Sequence, residues 1–266
     1  MGDHHSHSSI AESLASLNNN VVRVDFRCGS SAPYSSKLAF QDLQDVVHHI
    51  QTSSPNTQLG VVGSSSGGFF ALKLVRMLPP QTFAFCIPLC PVSQPGTRAK
   101  YLRSCMNDSP SSLSSQYPTF HTKEVAKAIL DGQLSFFSLG IDEMDAAALP
   151  LKTPHPSHPP TLLILGSADK NVPFAVNEPL LCWVDKTIII GGAGHEIQDA
   201  MPQLESHKCY IEEIAIFIKR LKEAPKLDEM GDVAKKEEKA APTTDPFGGG
   251  GGQRHQEGFY GPRHGL

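Results

Sequence analysis

The chain has 266 residues, of which 39% are hydrophobic and 19% charged, which suits one sizeable core domain or a domain plus a small insertion. A formal net charge of -4 gives no electrostatic reason to expect nucleic acid as the main partner. No run of about 18 apolar residues occurs, so no membrane span is expected. The start Met1-Gly2-Asp3-His4-His5-Ser6-His7 lacks the apolar run of a signal peptide.

In chain order, Ile10, Leu14 and Leu17 recur at helical spacing and predict a short amphipathic helix over residues 9–18. Val21-Val22-Arg23-Val24-Asp25-Phe26 is rich in β-branched residues, sits between Asn18-Asn19-Asn20 and Gly29, and predicts a strand. A Ser/Gly/Pro loop follows. Leu38, Leu43, Val46, Val47 and Ile50 then mark a helix closed by Pro55. Gln58 to Val62 predicts a strand, Phe69 to Met77 a helix ended by Pro79-Pro80, and Phe83 to Leu89 a strand.

Residues 94–160 are Ser- and Pro-rich, with a helix expected around Lys123 to Leu130 and another around Asp142 to Ala148. Such a loop-rich insertion is expected to be functional or mobile. Regular elements return with Thr161 to Leu165 (strand), Val176 to Leu181 (helix), Thr187 to Ile190 (strand) and Cys209 to Leu221 (amphipathic helix). Strands alternating with helices predict an α/β fold, a mostly parallel sheet flanked by helices. The expected organisation is a core in two parts, residues 1–93 and 161–221, a cap insertion over 94–160, and a disordered tail over 222–266. The tail carries Lys235-Lys236-Glu237-Glu238-Lys239 and five glycines, Gly248 to Gly252. It has too little apolar content to form a core, and its Gly/Arg/Tyr flavour leaves RNA contact as the lesser alternative to a solvated tail.

The six cysteines lack the paired spacing of a zinc site or disulfide framework. Cys86 and Cys90 read as small buried residues of a strand and its end. Reduced thiols and a cytoplasmic location are the expectation. His4, His5 and His7 form a short His-rich tract that no other ligand set supports, and neither metal nor cofactor is expected.

Chemistry concentrates in Gly60-Val61-Val62-Gly63-Ser64-Ser65-Ser66-Gly67-Gly68-Phe69-Phe70. Read as G-x-S-x-G, it places Ser65 on a sharp strand-to-helix turn, where flanking glycines let the backbone pass closely. The helix N-terminus beneath favours developing negative charge, and the N–H of Ser66 is the expected oxyanion donor. The competing reading is an anion-binding loop. A Walker-type phosphate loop is disfavoured because no Gly-Lys-Ser/Thr follows. Two later segments repeat the strand-to-loop pattern. Thr161 to Asp169 runs from an apolar strand into small residues and a carboxylate, followed by Asn171-Val172-Pro173, and Ile188 to His195 runs through a glycine loop to one histidine. Taken singly, Asp169 could cap the next helix and His195 could be a surface residue. The order Ser65, Asp169, His195, with separations of 104 and 26 residues, is the Ser–Asp–His order of an α/β hydrolase.

With these motifs in place, the chain resembles α/β hydrolases of the esterase, lipase and prolyl-oligopeptidase-like group. Gly68 looks like the second glycine of a G-x-S-x-G-G elbow. Val21 to Arg27 resembles the strand ending in Asp-Phe/Tyr-Arg, and Gly166 to Pro173 resembles the acid loop. The resemblance covers roughly residues 1–221. It implies an acyl-enzyme reaction on an ester or related acyl bond of a small-molecule substrate, with Ser65 as nucleophile, His195 as base and Asp169 as acid. Phe69, Phe120, Phe136 and Phe137 are candidates to line an acyl pocket, with core packing as the competing role. Oligomeric state is left open. The resemblance also implies about three strands ahead of Val21 and a His-Gly-Gly-type loop giving a second oxyanion donor. Only 20 residues precede Val21, and Gly2, Asp3 and His4 stand where that loop belongs. Either those strands are absent or the sequence starts late. Loss of one donor costs on the order of 10²–10³ in rate, so two alternatives stay open: a catalytically impaired binding protein, or a serine peptidase or acyltransferase on the same scaffold.

Overall fold

The computed structural model describes residues 5–26, 36–107, 126–127, 158–195, 197 and 206–223. In chain order these form α1 (His5–Ser16), α2 (Ser36–Ser53), β1 (Leu59–Ser64), α3 (Ser66–Met77), β2 (Phe83–Leu89) and α4 (Pro95–Asn107). β3 (Leu162–Gly166), α5 (Phe174–Asn177), β4 (Lys186–Ile190) and α6 (Ser206–Glu223) complete them.

The four strands form one sheet in the order β1-β2-β3-β4. Every pairing is parallel, with Val62 opposite Ile87, Leu89 opposite Ile164 and Ile164 opposite Ile188. All four C-terminal ends therefore lie along one edge of the sheet. Side chains alternate across a strand, and β3 shows why it reads as continuously apolar. Leu163 and Leu165 join a core with Ala39, Phe40 and Val47 of α2 and Phe69, Phe70 and Leu72 of α3. Leu162 and Ile164 join a second core with Ile10 of α1 and Tyr210, Ile214 and Ile218 of α6. Both faces of the strand are thus buried, the pattern of a parallel sheet between two helix layers.

Three local expectations differ from the structure. Residues 21–26 carry no ladder. Val22 is 61% exposed, and Phe26 packs edge-on against Phe70 of α3 at 5.2 Å. β-branched composition suits a pleated, half-buried surface, and among the described residues this segment has no neighbouring strand to pair with. Secondly, the helix foreseen over Val176 to Leu181 is a four-residue α5 followed by a 3-10 turn at Glu178–Leu180, where Pro179 has no N–H to give an α-helical turn. Thirdly, the segment expected to open as loop carries α4 at Pro95–Asn107. Ala126 and Lys127, within a foreseen helix, are helical. The helix foreseen around 142–148 and the tail beyond Glu223 lie outside the described residues.

Candidate active site

β1 ends at Ser64 and α3 begins at Ser66, so Ser65 alone makes the turn, with φ 55° and ψ −117°. A non-glycine residue in this region stores about 1–3 kcal/mol and persists only when its surroundings over-determine it. Here they do. Ser65 donates its N–H to the Leu89 carbonyl at 2.9 Å, and its own carbonyl accepts from Phe69 at 3.1 Å and Val92 at 3.2 Å. The elbow glycines are unequal. A Cβ on Gly63 would lie 2.2 Å from the Gly67 carbonyl oxygen, and one on Gly68 would lie 2.9 Å from Pro91 Cβ. A Cβ on Gly67 would meet nothing within 4 Å. The close approach expected of Gly67 therefore falls to Gly68.

Asp169 follows β3 after a two-residue turn and is 8% exposed. Its Oδ1 accepts the N–H of Asn171 at 2.9 Å and of Val172 at 2.8 Å, while Oδ2 lies 2.9 Å from His195 Nδ1. His195 follows β4, is also 8% exposed, and places Nε2 2.8 Å from Ser65 Oγ. A carboxylate only accepts, so Nδ1 carries the proton facing Asp169, and Nε2 is left to accept from the Ser65 hydroxyl. The acid and histidine loops are joined along their backbones. Ala168 N–H bonds the Ala193 carbonyl at 2.9 Å, Ser167 N–H the Ile190 carbonyl at 3.0 Å, and Gly192 N–H the Ser167 hydroxyl at 2.8 Å. A Cβ on Gly166 would sit 2.3 Å from the Gly194 carbonyl oxygen, so the two loops meet only because that position has no side chain.

The three residues singled out in sequence thus form a continuous hydrogen-bonded line from Ser65 through His195 to Asp169. Ser66 is the first residue of α3 and buried, where a backbone N–H has no intrahelical acceptor. Gly2, Asp3 and His4 lie outside the described residues, as do Phe120, Phe136 and Phe137. Phe69 is fully buried in the core against Phe70.

Two further groups border the acid. Cys90, just past β2, adopts φ 39°, and burial together with the Asp169 charge pushes its thiol well above the ordinary range. Cys90 Sγ, an Asp169 oxygen and a His195 nitrogen all lie within 4.8 Å of one another. A cation there would have to displace the thiol proton and break the His195–Asp169 hydrogen bond, so this donor set is poorly suited to metal ligation. Arg98 of α4 is 8% exposed. Its Nε–H donates to the Asn171 carbonyl at 3.1 Å and its Nη2–H to Asn171 Oδ1. Burial lowers its pKa to about 10, opposed by Asp169 and Tyr101, which leaves it cationic at neutral pH. Sequence reasoning missed Arg98, which nothing local distinguishes from a surface cation, and it read Cys90 as a small buried residue at a strand's end, as it is, without placing it beside Asp169.

Known proteins place this geometry in context. A family model described as the alpha/beta hydrolase family matches residues 2–208. No curated protein sequence matches the chain. Among solved structures, carboxyl esterase 2 of the mycorrhizal fungus Tuber melanosporum is 16% identical, with a TM-score of 0.59, covering 83% of this chain and 74% of its own. A monoacylglycerol lipase from Paleococcus ferrophilus is 17% identical, with a TM-score of 0.55 and coverages of 83% and 91%. Mouse alpha/beta hydrolase domain-containing protein 10 is 17% identical, with a TM-score of 0.53 and coverages of 83% and 86%. At these identities the likeness is one of fold.

Proposed function

Since the chain belongs to the alpha/beta hydrolase family, we propose that it is a serine hydrolase cleaving a carboxylic ester or related acyl bond of a small molecule. The observation that carries this reading is the line Ser65 Oγ–His195 Nε2 at 2.8 Å and His195 Nδ1–Asp169 Oδ2 at 2.9 Å, anchored on a strained Ser65. An ester is also the bond class named for the carboxyl esterase and the lipase that share its fold.

In the mechanism, Nε2 of His195 takes the hydroxyl proton as Ser65 Oγ attacks the acyl carbonyl. Asp169 holds the imidazole in the Nδ1–H tautomer and stabilises its cation. The oxyanion develops above the N-terminus of α3, where the Ser66 N–H is one donor, and the segment Gly2 to His4 is assigned the second. Collapse of the tetrahedral intermediate returns the proton from His195 to the leaving alcohol. Water activated by the same imidazole then clears the acyl-enzyme. Residues 94–160 are assigned to a cap that selects the substrate. Among the described residues no helix is long and apolar enough to cross a membrane, and the cysteine usage favours a cytoplasmic setting.

Labelling with a fluorophosphonate probe tests the reading. Wild-type protein should label and Ser65→Ala should not. Folded wild-type protein that resists the probe would overturn it and favour a binding role.

A further inference from the structure

A guanidinium taken out of water is costly unless its donors are met, and Arg98 is 8% exposed. Two of its donors meet one residue of the acid loop. Nε–H bonds the Asn171 carbonyl at 3.1 Å, and Nη2–H bonds the Asn171 side-chain oxygen. Asn171, gripped at both oxygens, turns its own N–H onto Asp169 Oδ1 at 2.9 Å. The opposite carboxylate oxygen is the one that faces His195. The grip spans 73 positions of sequence, so it is a tertiary tie and no by-product of the turn.

We propose that Arg98 is a positioning residue for the triad: its two-pronged hold on Asn171 fixes the acid loop and thereby aims the Asp169 carboxylate at His195. The inference rests on the reading of Ser65, His195 and Asp169 as a triad. It also gives α4 a role, since this helix opens the segment assigned to the cap. The helix that leads into the cover of the site thus carries the residue that steadies the acid. The planar fork matters because one side chain must meet a backbone and a side-chain oxygen together, which a lysine ammonium on a flexible stem does poorly.

The test uses the full chain with Arg98→Gln, Arg98→Lys and Asn171→Ala. Two readouts are taken: the second-order rate of fluorophosphonate labelling, and the far-downfield proton NMR resonance of the imidazole N–H bonded to a carboxylate. Arg98→Gln should slow labelling about 10- to 100-fold, the cost of an angstrom-scale misplacement, and weaken or broaden the downfield resonance. Arg98→Lys should lie between it and wild type. Asn171→Ala, which removes one prong only and keeps the amide on Asp169, should show a smaller loss in both readouts and serves if Arg98→Gln does not fold. Labelling within about twofold of wild type, or slowed labelling with an unchanged downfield resonance, would overturn the proposal. If wild-type protein does not label, the hydrolase reading fails by itself, and the NMR comparison still decides whether Arg98 holds the acid.

Discussion

Asp169 accepts two backbone N–H groups on one oxygen and faces an imidazole with the other, so both of its faces require an acceptor. Asp169→Asn must turn an NH2 group either toward the Asn171 and Val172 amides or toward His195 Nδ1. In the second case the imidazole is forced into the tautomer that cannot take the Ser65 proton. Labelling and esterase turnover should fall by about 10⁴ with geometry otherwise kept, and retention of activity within tenfold would remove Asp169 from the acid role. Asp169 and His195 were legible because each ends an apolar strand in a run of small residues. Ser167, whose hydroxyl accepts the Gly192 N–H, and Arg98 were not. Their value lies in where another part of the chain arrives, and no local pattern encodes that.

At the level of elements, the elbow is held by backbone proximity, and the glycines divide the work. Gly63→Ala drives a methyl group into the Gly67 carbonyl, so we expect a loss of about 1–3 kcal/mol in denaturant unfolding, the range of overpacking, together with a collapse of probe labelling. Gly67→Ala meets open space and should be neutral or stabilising by about 0.5–1 kcal/mol, since alanine suits a helix better than glycine. Equal losses in the two variants would show that the crowding at Gly63 is not what shapes the turn. The strands were legible where a partner exists, as at β2, whose bounds match the expected Phe83 to Leu89. They were misread at residues 21–26, where the composition is right and the ladder is missing. α4 escaped notice for the opposite reason. Its sequence PGTRAKYLRSCMN opens with proline and glycine and lacks an apolar stripe, although proline is well suited to a first helical position.

For the molecule as a whole, part of the stability rests on a histidine outside the hydrogen bonds of the proposed triad, His158. The His158 ring lies against Trp183, with centroids 3.7 Å apart, and its Nε2 is 3.0 Å from Thr161 Oγ1. Burial lowers its pKa to about 4, with Asp185 opposing and Arg76 adding to the shift. The unfolded chain therefore takes up this proton first, near the ordinary histidine value of about 6.5. The stabilising contribution is complete above that pH and drains away as pH falls toward 4. Below 4 both states are protonated and nothing more is lost. Allowing for partial exposure, the loss amounts to about 1–2 kcal/mol. Denaturant midpoints at pH 7.5 and pH 4.5 should differ less in His158→Gln than in wild type. Equal differences in the two proteins would dismiss His158 as the source.

β2 contributes none of the three proposed triad residues, yet it stands between the strands that carry Ser65 and Asp169. Ser65 hangs by its N–H on the carbonyl of Leu89, and the Cys90 N–H reaches the carbonyl of Ile164, both at 2.9 Å. Ser65 and Asp169 therefore follow strands two spacings apart, about 10 Å, and His195, which follows β4 on the far side of β3, has to close to 2.8 Å from Ser65 across them. In an engineer's terms β2 is a shim between two jaws. A shim that thickens or tilts by a fraction of an ångström leaves the vice intact and the workpiece out of tolerance.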